Sequence, residues 1–184
     1  NFLQELVGPI VRGECDATSS LVLSWDGKTI DGAGTGSNFL GIAVQPGYGV
    51  EPGPEHAVPR ETLFPCGGNM AIRTSVFEDV GGFDAEYFAY YEDLDLGWRL
   101  WVTGHRVWFV PNAVCYHHHS YTSARLPVES VRLAMVRNSL FTCVKNYDDE
   151  NLRRVLPALI ALATKRAGLK AGLDDAGFRI EHAD

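Results

Sequence analysis

The chain has 184 residues, of which 46% are hydrophobic and 21% charged, and its formal net charge at pH 7 is −7. This composition is typical of a folded domain with a sizeable core and excludes wholesale disorder. The acidic balance argues against nonspecific nucleic-acid binding, because the neutralisation of phosphates requires a basic face. We therefore expect no nucleic-acid partner.

The first third of the sequence predicts little regular structure. Residues 2–9 read like the end of a helix that enters a strand. The run Leu21–Trp25 predicts a short strand that ends at the turn Asp26-Gly27. Glycines and prolines are frequent between Gly27 and Pro59, which predicts either an irregular surface excursion or a functional loop.

Two helices are predicted in the centre. The first spans Ser75–Val80, is capped by Thr74 or Ser75, and ends at Gly81-Gly82. The second ends at Gly104 and has apolar residues at i, i+4 and i+7, namely Leu94, Trp98 and Trp101.

The C-terminal part predicts two short strands and two further helices. The strands are Val107–Val110 and Val114–Tyr116, and one helix runs from Pro127 to about Tyr147. Asn151 is expected to cap the last helix, and the charged tail from Gly168 is expected to fray. The expected apolar stripe of the first of these helices is Val131, Ala134, Met135, Leu140, Phe141 and Val144.

Three carboxylates lie within four positions of the stretch Tyr90–Arg99: Glu92, Asp93 and Asp95. They fall in the first turn of the predicted helix, where free backbone N–H groups and the helix dipole stabilise negative charge. A carboxylate beside apolar rings is a candidate general base. Acids at a helix N-terminus are also ordinary capping residues, and the stretch alone does not separate these two interpretations.

Three adjacent histidines, His117, His118 and His119, follow the last predicted strand. On an extended segment His117 and His119 point one way and His118 the other. A neutral imidazole binds divalent ions well, but a histidine with ordinary hydrogen bonds is the alternative. The widely spaced cysteines are expected to be reduced core thiols, and they are Cys15, Cys66, Cys115 and Cys143.

Five motifs in a fixed order resemble the second half of the catalytic domain of family 2 inverting glycosyltransferases. Single motifs such as Gly-Gly-Phe-Asp are weakly specific, whereas five in register are strongly specific. Arg137-Asn138 resembles a further Arg-Asn pair of that family. The five segments are Cys66–Arg73, Val80–Asp84, Tyr90–Arg99, Gly104–Pro111 and Tyr116–Ser120.

The resemblance implies an α/β, GT-A-like fold whose N-terminal nucleotide-binding half is largely missing from this chain. It divides the chain into a partial catalytic domain, residues 1–147, and a C-terminal helix with a charged tail, residues 148–184. The family carries an Asp-x-Asp motif in the nucleotide-binding half, and no residues before position 60 fit it. Asp93-Leu94-Asp95 has that spacing but lies in the acceptor-side context. We therefore expect this fragment alone to be of doubtful activity.

The resemblance also assigns roles to residues. Asp93 would be the general base, Glu92 a supporting carboxylate, and His117 a metal ligand. Asp95 would cap the helix or pair with Arg99 at i+4. The residues implied in acceptor binding are Gly67, Gly68, Asn69, Trp98 and Arg99, although helical spacing also favours a core position for Trp98, and Arg99 could simply pair with an acid.

The implied reaction is transfer of a sugar from a nucleotide-sugar to a hydroxyl of a cell-surface glycan or glycolipid, with inversion and assistance from Mg²⁺ or Mn²⁺. One alternative is a noncatalytic carbohydrate-binding or scaffold module, and another is a metal-binding regulatory domain built on the histidine run. We expect a cytoplasmic protein, because the widely spaced cysteines are typical of reduced thiols. The longest apolar run, Val155 to Ala163, is too short to span a bilayer. Peripheral membrane contact through the basic, amphipathic residues 151–171 is a further expectation.

Overall fold

A computed structural model describes residues 1–118 and 127–170 and has a mixed α/β architecture. Two short 3₁₀ turns, Pro54–Ala57 and Ala85–Tyr87, lie between the regular elements. The helices and strands are α1 Phe2–Val11, β1 Ala17–Ser24, β2 Ile30–Ala33, β3 Gly36–Ser37, β4 Ala43–Val44, β5 Arg60–Glu61, β6 Met70–Ile72, α2 Thr74–Asp79, α3 Glu92–Val102, β7 Val107–His117, α4 Val128–Asn146 and α5 Asp149–Lys170.

The main sheet is built around the central pair β1 and β7, which run parallel along their whole shared length. On the other side of β1, β6 pairs antiparallel with its first residues and β2 pairs antiparallel with its later ones. The strand β5 adds antiparallel to the far side of β7. Strands β3 and β4 form a separate two-stranded ribbon.

Helices cover both faces of this sheet. Alternate residues of a strand point to opposite faces, so Ala17 and Val107 pack against Leu96 and Leu100 of α3. On the opposite face, Val110 packs with α1, whose side chains complete a small cluster. The sheet is therefore buried on both sides where β1 meets β7.

The strand predictions are correct in place but not in length. β1 begins at Ala17, four residues before the predicted start, because the small polar residues before Leu21 are also buried in the sheet. The two strands predicted over 107–116 form one strand, β7. Its pairing with β1 jumps from Val110 to Val114, so Pro111–Ala113 bulge out of the ladder. Pro111 has no N–H to donate, which suits a bulge.

Helix α3 fits the sequence pattern closely. It begins at Glu92, so the three acids lie in its first turn as predicted. Gly104, with φ +88°, follows its C-terminus. Gly97 lies where α3 crosses the chain before Cys66: an added Cβ would be 2.7 Å from the Leu63 carbonyl oxygen. Glycine at this position allows the close helix–backbone contact.

The C-terminal helices differ from the prediction in two details. The most buried residues of α4 include Asn138, Ser139 and Thr142, whereas Val144 of the predicted apolar stripe is exposed. Asp148, and not Asn151, caps α5, because the Asn151 N–H donates to its carboxylate at 2.9 Å. The expected fraying beyond Lys170 lies outside the described residues. No helix in the described ranges is long and apolar enough to cross a membrane.

Candidate active site

The two candidate catalytic acids lie where α3 begins beside the turn that precedes β6. Asp93 Oδ2 accepts a hydrogen bond of 3.0 Å from the Gly67 N–H, and Oδ1 accepts one of 2.8 Å from the Leu94 N–H. Burial raises the pKa of the Asp93 carboxyl, against the lowering effect of these N–H donors. A carboxylate with a raised pKa and two fixed oxygens is well suited to accept a proton.

Glu92 precedes Asp93 and, like Asp93, lies close to Gly67. A Cβ at Gly67 would be 3.5 Å from Glu92 Oε1 and 3.7 Å from Asp93 Oδ2, so Gly67 lies directly beside both carboxylates. Burial, and secondarily the nearby charge of Asp93, raise the pKa of Glu92. Its Oε2 is buried and has no hydrogen-bond partner within the described ranges. A buried oxygen without a partner is costly to keep, which makes it a candidate contact for a ligand hydroxyl.

The turn Cys66–Asn69 connects the acids to a cavity. The Asn69 N–H donates to the Cys66 carbonyl at 3.0 Å, which closes the turn. The Asn69 side chain donates to Cys115 Sγ at 3.4 Å, while its buried Oδ1 has no partner among the described residues. Asn69 therefore presents a second unsatisfied acceptor, two residues after Gly67, whose N–H binds Asp93.

The cavity itself has a volume of about 290 Å³ and opens at the C-terminal half of the β1–β7 pair. Gly68, Asn69 and His117 line it together, so the structure brings these three sequence-predicted residues to one place. Further lining residues include Ser19, Ser20, Asp31, Gly34, Thr35 and Cys115.

Asp31 is the main site residue that the sequence interpretation missed. Its Oδ2 is paired with His117 Nδ1 at the cavity wall, and its side chain is largely buried. Asp31 lies in β2, between Ile30 and Gly32, inside the segment that predicted only irregular chain. The one signal for Asp31 in the sequence was a charged residue within a short apolar run.

The Asp31–His117 pair meets one requirement of a site for a divalent ion. An acid behind one histidine nitrogen orients the ring and makes it a better metal ligand. However, residues 1–118 and 127–170 contain no group of three or more His, Cys, Asp or Glu side chains that could hold a metal. The described chain thus offers one oriented histidine, His117, and not a complete metal site. His119 lies outside the described residues.

The other predicted acceptor residues lie elsewhere. Trp98 lines a second cavity of about 370 Å³, where its ring packs edge-on against that of Tyr147, with 4.8 Å between the ring centroids. Arg99 donates to Asp95 Oδ2 at 2.8 Å and to the Val80 and Gly82 carbonyls. Through these contacts the Arg99 guanidinium links α3 to the end of α2. The Asp95–Arg99 pair is the one that the i+4 spacing predicted.

All four cysteines are free thiols, in agreement with the sequence interpretation. Burial raises the pKa of Cys66 to about 11, so this thiol stays protonated beside the acids. Cys115 precedes His117 by two residues in β7 and lines the cavity with it, as does Tyr116 between them.

Comparison with known proteins supports the resemblance. Residues 56–144 match the sequence model of the family described as glycosyl transferase family group 2. The chain is 44% identical over 61 residues to an N-acetylglucosaminyl-diphospho-decaprenol L-rhamnosyltransferase of Mycobacterium tuberculosis, covering 33% of this chain and 20% of the relative. It is 40% identical over 75 residues to rhamnosyltransferase WbbL of Escherichia coli, covering 36% of this chain and 28% of the relative.

A solved structure shows the same fold. The crystal structure of GalNAc-T7 with UDP, GalNAc and Mn²⁺ superposes with a TM-score of 0.56 at 17% identity, over 82% of this chain and 30% of that one. The present chain spans less than a third of each of these proteins. Residues 56–144, which contain the acids, the glycine turn and His117, are therefore similar in sequence to glycosyl transferase family group 2, and the chain has a GT-A-like fold.

Proposed function

We propose that the protein transfers a sugar from a nucleotide-sugar to a hydroxyl of a cell-surface glycan or lipid-linked glycan, with inversion at the anomeric carbon. The names of two relatives point to rhamnosyl transfer, and one of them to an acceptor of N-acetylglucosamine on a diphospho-polyprenol. Rhamnose is therefore the first donor sugar to test. We place the reaction at the cytoplasmic side of the membrane, where a lipid-linked acceptor would present its head group.

In this proposal Asp93 is the general base. The acceptor hydroxyl gives its proton to the Asp93 carboxylate as its oxygen attacks the anomeric carbon, and the bond to the nucleoside diphosphate breaks. The N–H groups of Gly67 and Leu94 hold the carboxylate in place, and burial raises its pKa towards the working range of a base. A single displacement of this kind inverts the configuration.

The acceptor would bind through the two unsatisfied oxygens. Asn69 Oδ1 and Glu92 Oε2 are buried and lack partners within the described chain; Glu92 lies beside Gly67, two residues before Asn69. Sugar hydroxyls are natural donors to such oxygens. This pair of acceptors beside a fixed base is the observation that carries the proposal, because a structural site would have satisfied them internally.

The leaving group requires neutralisation, and we propose that Mg²⁺ or Mn²⁺ supplies it as a Lewis acid. His117, oriented by Asp31, would be the protein ligand on this side of the cavity. The donor's own diphosphate would provide further ligands.

The test is a donor screen on the full-length protein with a polyprenyl-diphosphate N-acetylglucosamine acceptor. Transfer from one nucleotide-sugar, with an inverted anomeric configuration by NMR, is the expected result. Asp93→Asn should lower kcat by roughly 10²–10⁴-fold without loss of folding. Asp79→Asn, which changes an exposed acid at the end of α2, is the matched control. Acceptor binding without any transfer would favour the noncatalytic module instead.

A further inference from the structure

The segment Tyr87–Tyr91, which leads directly into the two acids, has an unusual backbone. Phe88 has φ 59° and ψ −60°, and the Ala89 N–H donates to the Tyr87 carbonyl at 2.7 Å. This is the classic γ-turn, a rare and strained conformation. Tyr90 and Tyr91 follow with φ of 68° and 72°, in the left-handed region. These are the only described non-glycine residues with positive φ.

Such conformations persist only where surrounding contacts impose them. Here the contacts come largely from one side chain of α4. Asn138 is completely buried, and its Nδ2 lies within hydrogen-bonding distance of the carbonyls of Tyr87, Ala89 and Tyr90, at 3.0, 2.9 and 2.7 Å, so its two hydrogens are shared among three acceptors. Its Oδ1 accepts from Arg137 Nε at 2.9 Å, which fixes the orientation of the amide. All hydrogen-bonding capacity of this buried amide is thus directed at the segment or at the residue that orients it.

We propose that Asn138 is a positioning residue for the catalytic acids: it holds the strained Tyr87–Tyr91 segment so that α3 begins with Asp93 against the Gly67 N–H. The inference rests on the proposed function, since it gives Asp93 the role of base. It adds a residue of a different helix, which contacts neither acid, to the machinery of that step.

The physical argument follows the chain. Tyr91 is the N-cap of α3 and has left-handed backbone, so its conformation sets the direction in which the helix starts. If the carbonyl contacts are lost, the three residues can relax to negative φ, and such rotations displace the first turn of the helix. Misplacement of a reacting group by about 1 Å can cost roughly 10²-fold in rate. The decrease in rate would affect the chemical step, and donor binding would be unchanged.

The first experiment compares Asn138→Ala with Thr142→Val in the full-length protein. Thr142 lies one turn further along α4, is equally buried, and contacts the Tyr87 hydroxyl and not the carbonyls of the segment. Asn138→Ala should lower kcat about 10²-fold with donor KM unchanged. Thr142→Val should destabilise the fold with kcat near that of the wild type. Equal kcat in the two variants would overturn the proposal.

A second substitution tests the strain itself. Phe88 is 87% exposed, so Phe88→Gly removes little packing, and glycine adopts positive φ readily. In the Asn138→Ala background, Phe88→Gly should restore part of the lost kcat, by about tenfold. A further decrease in kcat would show that strain in the segment is not what Asn138 opposes. If Asn138→Ala does not fold, Asn138→Ser, which keeps one hydroxyl donor, replaces it, and wild-type kcat in that folded variant would refute the role.

A readout without activity separates this inference from the proposed function. The Gly67 amide is hydrogen-bonded to Asp93, so its NMR shift should follow the titration of that carboxyl in the wild type. In Asn138→Ala this dependence should be lost, and in Thr142→Val it should be kept. If no donor is transferred but these shifts behave as expected, the proposed function fails and the positioning role stands. A Gly67 shift that titrates identically in all three proteins would exclude the positioning role.

Discussion

The buried acid Asp95 offers a sharp test of what holds α3 to α4. Its side chain is completely buried, and Oδ2 accepts from Arg99 at 2.8 Å and from Lys145 at 3.0 Å. Oδ1 accepts from Asn146 at 2.9 Å. Asp95→Asn keeps the shape of the side chain but removes the charge that Arg99 and Lys145 both bind, while Asp84 still pairs with Lys145.

Breaking a buried ion pair on one side costs about 3–5 kcal/mol. Both cations keep some access to water, with side chains 19% and 27% exposed, so we expect the lower end, about 3 kcal/mol. For a domain of this size that corresponds to a decrease in melting temperature of roughly 6–12 °C. Urea unfolding and thermal melts of the full-length protein would measure both quantities.

The matched control is Glu150→Gln. Glu150 also pairs with an arginine four residues on, Arg154, at 2.5 Å, but both side chains are exposed to solvent. Exposed pairs of this type contribute little to stability, so the melting temperature should not change measurably. If Asp95→Asn is as harmless as Glu150→Gln, the buried network does not stabilise the α3–α4 contact and our reasoning about it is wrong.

Three further predictions concern the site and its surroundings. His117→Ala should raise the concentration of Mn²⁺ needed for half-maximal activity while His118→Ala should not, and identical metal titration curves would remove His117 from the metal site. Glu92→Gln should raise the melting temperature at pH 7, because burial raises the pKa of Glu92 above its ordinary 4.5 and the ionised carboxylate therefore destabilises the fold. Since Glu92 is protonated in the folded and unfolded states at low pH, this gain in melting temperature should disappear below about pH 4. A gain that does not depend on pH would contradict the prediction. The helix spanning 151–170 should bind anionic liposomes better than neutral ones if its basic edge contacts a membrane, whereas no binding would leave only its packing against α4.

The sequence was sufficient for the local parts of the site. The first turn of α3 could be predicted with its three acids, because capping acids, helical spacing and Gly104 all act within about a dozen residues. The turn at Gly67-Gly68 and the position of His117 near the end of a strand also follow from neighbouring residues. The pairing of Asp95 with Arg99 is set by helical geometry alone.

The long-range parts could not be predicted in this way. Asp31 and His117 are 86 residues apart, and only the pairing of β1 with both β2 and β7 brings them together. The burial of the polar side chains of α4 contradicts its apolar pattern for the same reason: Asn138 lies inside because the carbonyls of a distant, strained segment require donors there.

What the sequence alone determined is therefore the cluster of acids in the first turn of α3, the order of the motifs and the elements that carry them, since these depend on local backbone preferences and spacing. Tertiary structure decided which residues share the cavity, with His117 and Asn69 inside it and Trp98 and Arg99 outside. It also decided which side chains hold the acids in place. Such contacts depend on chain segments that approach only after folding. Hydrophobic periodicity does not predict which distant residue becomes a hydrogen-bond partner.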